Sequence, residues 1–243
     1  MAGAAAERQE TGLVNAIKAA VRANKGNPIT VIAGKTKITG VINADKFTGR
    51  QESGSEPYTD VQLFSYDKKV KPINLSLKGE AAPSLAGGGL RGLELAVPGI
   101  ASKFLKLAHE KLSKTINAGD KVPDVFGKIG SSNKLKIVIG NVAMGGPIDY
   151  MYIGKMDVSH SYDKAKNILT ITNGEMIPAK KYADEHDLYF RLRARREDQR
   201  FDPIAVDKQG VPKIYGVSPS RGDSAGRIVV TDKVSSTGVM VNL

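Results

Sequence analysis

Asp60, Ser76 and Lys78 are a carboxylate, a hydroxyl and an ammonium carried on two short apolar runs within EPYTDVQLFSYDKKVKPINLSLKG, residues 56–79. Val61 and Leu63, then Ile73, Leu75 and Leu77, alternate with other residues, and YDKK between the runs is turn chemistry. The pattern predicts a β-hairpin. With its turn centred between Lys68 and Lys69, Asp60 falls opposite Leu77 and diagonal to Ser76 and Lys78. A one-residue change of register sets Asp60 directly beside one of them. Strand alternation puts Ser76 and Lys78 on a common face. Three polar groups thus converge at one end of a strand pair, either as a set able to act on a polar substrate or as an ion pair at the edge of a solvated sheet.

The elements that must position them are legible around the hairpin. Residues 4–24 read as a helix, with Leu13, Val14, Ile17 and Val21 at helical spacing and KGNP ending it. Glu10 lies seven residues before Ile17, along the same stripe and at the edge of the buried face. ITVIAG and TKITGVINADKF read as strands, and TGRQESGSEP as a polar loop into the hairpin. A helix is expected from Leu90, and a second over 99–117, where Ile100, Phe104, Leu107 and Leu112 share a side. Beyond a turn-rich connector, LKIVIGN, PIDYMYIGKMDVSHSYD and NILTITNG read as strands and IPAKKYADEHD as a short helix with Pro178 in its first turn. LYFRLRARR alternates apolar and basic residues as a strand would, and the last segment reads as strand, loop and strand. The expected class is α/β, a mixed sheet flanked by helices with a β-rich C-terminal extension. The expected domains are 1–120 and 121–243.

Composition narrows the chemistry. The chain has 243 residues and no cysteine, which excludes disulfides, thiolate metal sites and a cysteine nucleophile. Lys and Arg number 36 against 25 Asp and Glu, and the resulting +11 suits a polyanionic partner. With no tryptophan, six phenylalanines and eight tyrosines, a dedicated base-stacking surface is not expected. No apolar run approaches the roughly 18 residues of a membrane span. MAGAAAERQE does not read as a signal peptide, so the cytoplasm is the default expectation.

A helix bearing a carboxylate, a short meander, a strand starting at Asp60, a strand ending SLK and then a helix: this order resembles the core of the PD-(D/E)xK nuclease superfamily. The resemblance covers residues 7–117 and implies a restriction-endonuclease-like core with Mg2+- or Mn2+-dependent hydrolysis of phosphodiester bonds in duplex DNA. It implies Asp60 as main metal ligand and Lys78 as the residue that orients the attacking water. Threonine stands before Asp60 where the motif has proline, and Ser76 stands where an acid is usual. A hydroxyl is a poor substitute for a carboxylate toward a hard cation. One branch of the restriction endonucleases has Ser-x-Lys on this strand and recruits a glutamate from the following helix. Glu94, sixteen residues after Lys78, and Glu10 on the first helix are the matching auxiliary acids, with Ser76 left as a water-mediated ligand. From Asp60 to the triple glycine the chain is also similar to uncharacterised proteins of large tailed phages. The competing expectation is therefore a phage virion or packaging protein that keeps this fold without cutting, in the host cytoplasm or the virion.

The expected grip on DNA is basic. RLRARREDQR, residues 191–200, holds five arginines, and Arg191, Arg193 and Arg195 fall on alternate positions. Arginine suits bidentate phosphate contact. Arg91 in GGGLRG, and Arg221 and Arg227 around the RGD-containing loop, are further candidates, against the simpler reading of solvated turns. His109, His160 and His186 have no metal-ligand spacing, and His109 reads as a surface residue. A homodimer, or assembly with phage structural subunits, is compatible with all of this.

Overall fold

The computed structural model describes residues 2–80, 84–85, 89–193, 200–204 and 227–243, and of residues 2, 3, 84, 85, 89, 90, 193 and 227 only the backbone. In chain order the elements are α1 (Ala2–Ala23), β1 (Ile29–Ala33), β2 (Thr36–Lys46), β3 (Val61–Ser65), β4 (Ile73–Gly79), β5 (Ser84–Leu85), α2 (Gly89–Ala96) and α3 (Ile100–Thr115). There follow β6 (Val125–Lys128), α4 (Ser131–Ile139), a 3-10 turn at Val142–Met144, β7 (Tyr150–Gly154), β8 (His160–Asp163) and β9 (Ile168–Ile171). The last are β10 (Gly174–Pro178), α5 (Ala179–Glu185), β11 (Tyr189–Arg193), β12 (Arg227–Thr231) and β13 (Val239–Val241). The chain is α/β, with a mixed eight-stranded sheet, a second sheet and flanking helices.

Two compact units share these elements, and the division does not fall at residue 120. The first unit takes residues 1–83 and 138–185, the second 84–137 and 186–243. The expected boundary fails because the second half of the chain returns strands to the first sheet. β7 lies parallel beside β4, and β9 parallel beside β1. Parallel neighbours need a long crossover rather than a tight turn, so no local signal announces them.

In the first unit the strand order is β10-β7-β4-β3-β2-β1-β9-β8. α1 lays Leu13, Ala16, Ile17 and Ala20 against Val31, Val41, Ala44, Val61, Leu63, Leu75 and Leu77, a cluster that also takes in Tyr152 and Met176. The helix stops where Lys25 and Gly26 turn left-handed (φ 57° and 81°) and the Gly26 N–H closes on the Val21 carbonyl. The sheet curls enough for the turn between β1 and β2 to meet β10. The Thr36 hydroxyl donates to the Met176 carbonyl, and Gly34 (φ 62°) fits where a Cβ would strike Glu175 at 2.7 Å.

In the second unit the order is β13-β6-β11-β12-β5. α3 buries Ala101, Phe104, Ala108 and Leu112, with Phe104 stacked on Phe190 at 5.4 Å between centroids. LKIVIG, expected as a strand, is helical in α4. The N–H groups of Asn133 and Lys134 close back on the Gly130 carbonyl, and only Ile137 and Val138 of the run are fully buried, as adjacent residues rather than alternate ones. A short apolar run does not separate strand from helix by periodicity alone.

Candidate functional site

The β3–β4 register pairs Val61 with Leu75, Gln62 with Asn74 and Leu63 with Ile73. Continued by one pair, it sets Asp60 opposite Ser76 rather than Leu77, the shifted alternative. The register is one residue off that expected from YDKK, and the turn centres on Lys68. Asp60 precedes β3, so its side chain is free to turn back on β4. Its Oδ2 accepts the Leu77 N–H at 2.6 Å and the Ser76 hydroxyl at 3.3 Å. Its own N–H donates to the Leu75 carbonyl at 2.8 Å, and its carbonyl accepts from Phe47 at 2.9 Å. Burial pushes the Asp60 carboxyl above its usual range, and Glu56 adds to the rise. Lys78, the Leu77 N–H and the Ser76 hydroxyl pull it down. Ser76 is only 2 % exposed, so its hydroxyl is held against the carboxylate away from solvent.

α1 brings the next group. Gln9 is 2 % exposed, and its Nε2 donates to the carbonyls of Gly154 at 2.9 Å and of Lys78 and Lys155 at 3.2 Å each. One amide thus ties the helix to the ends of β4 and β7. Glu10, the following residue, is pushed above the usual carboxylate range by burial first and then by the negative charge of Asp60, against the Lys46 ammonium. Lys46 Nζ stands 3.5 Å from Glu10 Oε2 and 3.8 Å from Glu7 Oε1. The structure therefore brings Glu10, Asp60, Ser76 and Lys78 together at one end of the sheet. It adds Lys46, which the sequence reading missed. The signal was available: in an antiparallel meander the last residue of β2 meets the start of β3, and Lys46 pairs with Val61.

Two carboxylates, Glu10 and Asp60, stand together in this cluster, with the Lys46 ammonium on Glu10 and Lys78 beside Asp60. A half-buried carboxylate whose affinity for protons is raised by a second carboxylate, as Glu10 is by Asp60, marks a place where a divalent cation would be stabilised. Mg2+ is commonly held by one or two carboxylates with water completing its shell. Asp60 and Glu10 fit that demand. Among the described residues no group of three His, Cys, Asp or Glu side chains is arranged to hold a metal, so a third protein carboxylate is not part of the fit.

Glu94, expected as an auxiliary ligand, has a different task in the second unit. Its Oε1 accepts the Ser102 N–H at 2.8 Å and the Ser102 hydroxyl at 2.9 Å, and its Oε2 accepts the Gly99 N–H. Gly99 at the N-cap of α3 has no side chain to offer, and the first N–H groups of a helix attract a carboxylate. Glu94 supplies it from the preceding helix. A carboxylate with three donors on it is a cap rather than a spare ligand.

The arginines divide. Arg191 donates from Nε at 2.9 Å and from Nη2 to Asp124 Oδ2, and lies over the Phe126 ring at 5.8 Å. Its guanidinium is committed within the second unit, so the expected phosphate contact is replaced by an internal ion pair. The alternation of β11 is otherwise as read, with Phe190 and Leu192 buried. Arg91 is exposed on α2. The backbones of Arg193 and Arg227 pair across β11 and β12. The side chains of those two, and the whole of Arg195 and Arg221, lie outside the described residues. His109 is not a plain surface residue: its Nε2 is 3.1 Å from the Pro203 carbonyl, and its ring packs on Phe201. No helix among the described residues is long and apolar enough to cross a membrane. Compared with protein-family models, with curated proteins and with solved structures, the chain matches none.

Proposed function

We propose that the chain is a Mg2+- or Mn2+-dependent deoxyribonuclease that hydrolyses phosphodiester bonds of duplex DNA, in keeping with its resemblance to the PD-(D/E)xK nucleases. The observation that carries the reading is the gathering of two carboxylates at one end of the sheet, Glu10 pushed up in part by the charge of Asp60 and Asp60 held beside Lys78. Asp60 and Glu10 would hold the cation, which when bound polarises a phosphate and acidifies a water. Ser76 and the Leu77 N–H fix one oxygen of Asp60, and the other would be the one offered to the cation. Lys78 keeps positive charge next to Asp60, where it orients a water or a phosphate oxygen. Gln9 holds the Lys78 carbonyl and so sets where that lysine leaves the strand. The host cytoplasm or a virion would be its place of action.

The test is cleavage of supercoiled and linear duplex DNA with Mg2+, Mn2+ or EDTA. Asp60→Ala and Glu10→Ala should each cost at least about 100-fold, the scale of other electrostatic catalytic groups. Glu94→Ala should leave cleavage intact, since its carboxylate serves α3.

A second reading rests on a specific observation. Asp60 already satisfies a backbone N–H and a hydroxyl, and Glu94 is taken up in a cap. This favours a phage virion or packaging component, as a homodimer or among other subunits, that keeps the scaffold without cutting. A wild type that binds duplex DNA but never cuts it, and a Ser76→Glu variant that stays inert, would select this reading.

A further inference from the structure

The hairpin that carries the site has a second end. Between β3 and β4, Tyr66, Asp67, Lys68, Lys69, Val70 and Lys71 are all exposed, Tyr66 at 72 % and Val70 at 50 %. The turn is held by its own bonds. Asp67 Oδ1 accepts the Lys69 N–H at 2.9 Å, the Asp67 carbonyl accepts from Val70 at 3.0 Å, and Tyr66 N–H reaches the Gly40 carbonyl at 3.1 Å. The one acidic side chain of the tip is thus turned onto the turn's own amide. Lys35 and Lys37, also exposed, extend the same end of the sheet at the turn between β1 and β2. Among the described residues none of these five lysines is in an ion pair.

Hairpin tips are ordinarily polar, and an aromatic and an aliphatic side chain held out among ammonium groups lose contact with any core. The groove of a duplex offers what both kinds of group need. Phosphates line its rim, releasing counterions to lysines, and sugars and base edges inside accept an apolar wedge. We infer that the β3–β4 tip is an anchor for duplex nucleic acid, with Lys68, Lys69 and Lys71 on phosphates and Tyr66 and Val70 entering the groove. The inference rests on the nuclease reading only for the choice of polyanion. Tyr66 is six residues from Asp60, about 20 Å at strand rise. A duplex running along the hairpin is then gripped about six base pairs from the phosphate held at Asp60.

The experiment measures binding of a labelled 20-base-pair duplex by anisotropy in EDTA, from 50 to 300 mM salt, using the full chain. Replacing Lys68, Lys69 and Lys71 together by alanine should weaken binding at least tenfold at 100 mM salt and lower the log–log salt slope by about 2 to 3. Tyr66→Ala should weaken binding severalfold with the slope unchanged. Alanine at Lys103, Lys106 and Lys114, exposed on α3, removes the same charge elsewhere. An equal loss in that control, an unchanged affinity in the tip variant, or binding of phosphatidylserine vesicles in place of the duplex overturns the inference. A parallel cleavage assay in Mg2+ separates the two proposals. Tip-dependent binding without cleavage sinks the nuclease reading and leaves the anchor. Cleavage with tip-independent affinity does the reverse.

Discussion

At Glu10 and Asp60 the chain keeps two carboxylates in an arrangement that costs stability when both are charged. Both titrate above their ordinary values, chiefly through burial, and for Glu10 next through the charge of Asp60. The native state therefore holds more protons than the unfolded chain between the ordinary and the raised values. Stability falls as pH rises through that window, and the penalty is complete above it. In EDTA at pH 7, Glu10→Gln should raise the thermal midpoint by about 1–3 °C, the effect of something under 1 kcal/mol in a chain of this size. The gain should vanish at pH 4, where the wild-type carboxyl is protonated. Thermal denaturation at the two pH values checks this, and a variant less stable than wild type at pH 7 refutes it. Added Mg2+ should stabilise the wild type and not the variant.

Among the elements, α1 does more than cover the sheet. Its apolar stripe packs on β2 and β4, while Gln9 closes the carbonyls at the ends of β4 and β7. Those carbonyls lie where two parallel strands finish together. Gln9→Leu keeps the apolar bulk and removes the donors, leaving one buried and two part-buried acceptors short of this donor. A cost of about 1–3 kcal/mol is expected. Hydrogen exchange should quicken at Lys78, Gly79 and Gly154 while the amides of β1 and β2 keep their protection. Uniform loosening of the whole sheet would mean that the amide acts as general packing, not as a tie between these ends.

For the whole molecule, the consequence lies in chain order. A chain ending at residue 120, the boundary expected from the order of elements, lacks β7, β8, β9 and β10 and so half of the eight-stranded sheet. β4 and β1 would become bare edges, which favour aggregation. Such a chain should show no cooperative thermal transition by circular dichroism. Residues 1–83 joined to 138–185 through a flexible glycine-serine linker should show one, because every strand of the first sheet is then present. Cooperative unfolding of the shorter chain would show that the first four strands and α1 are self-sufficient.

The sequence by itself determined what short-range rules encode. The stripe of α1, the strands β1 to β4, the hairpin of Asp60 and Ser76 and the apolar face of β11 all follow from periodicity and turn chemistry within a few residues. The neighbourhood of Asp60, Ser76 and Lys78 was legible for the same reason, since a tight turn sets antiparallel register to within a residue. Only the tertiary structure decided the rest. Parallel partners such as β4 with β7 are chosen by packing across crossovers of some seventy residues, and no turn marks them. Charged side chains take whichever opposite partner the fold delivers. Lys46 found Glu10, Asp124 took Arg191 from its expected phosphate, and the cap of α3 took Glu94. The chemical type of each group is written in the chain, but its partner depends on distances that exist only once the strands are assembled.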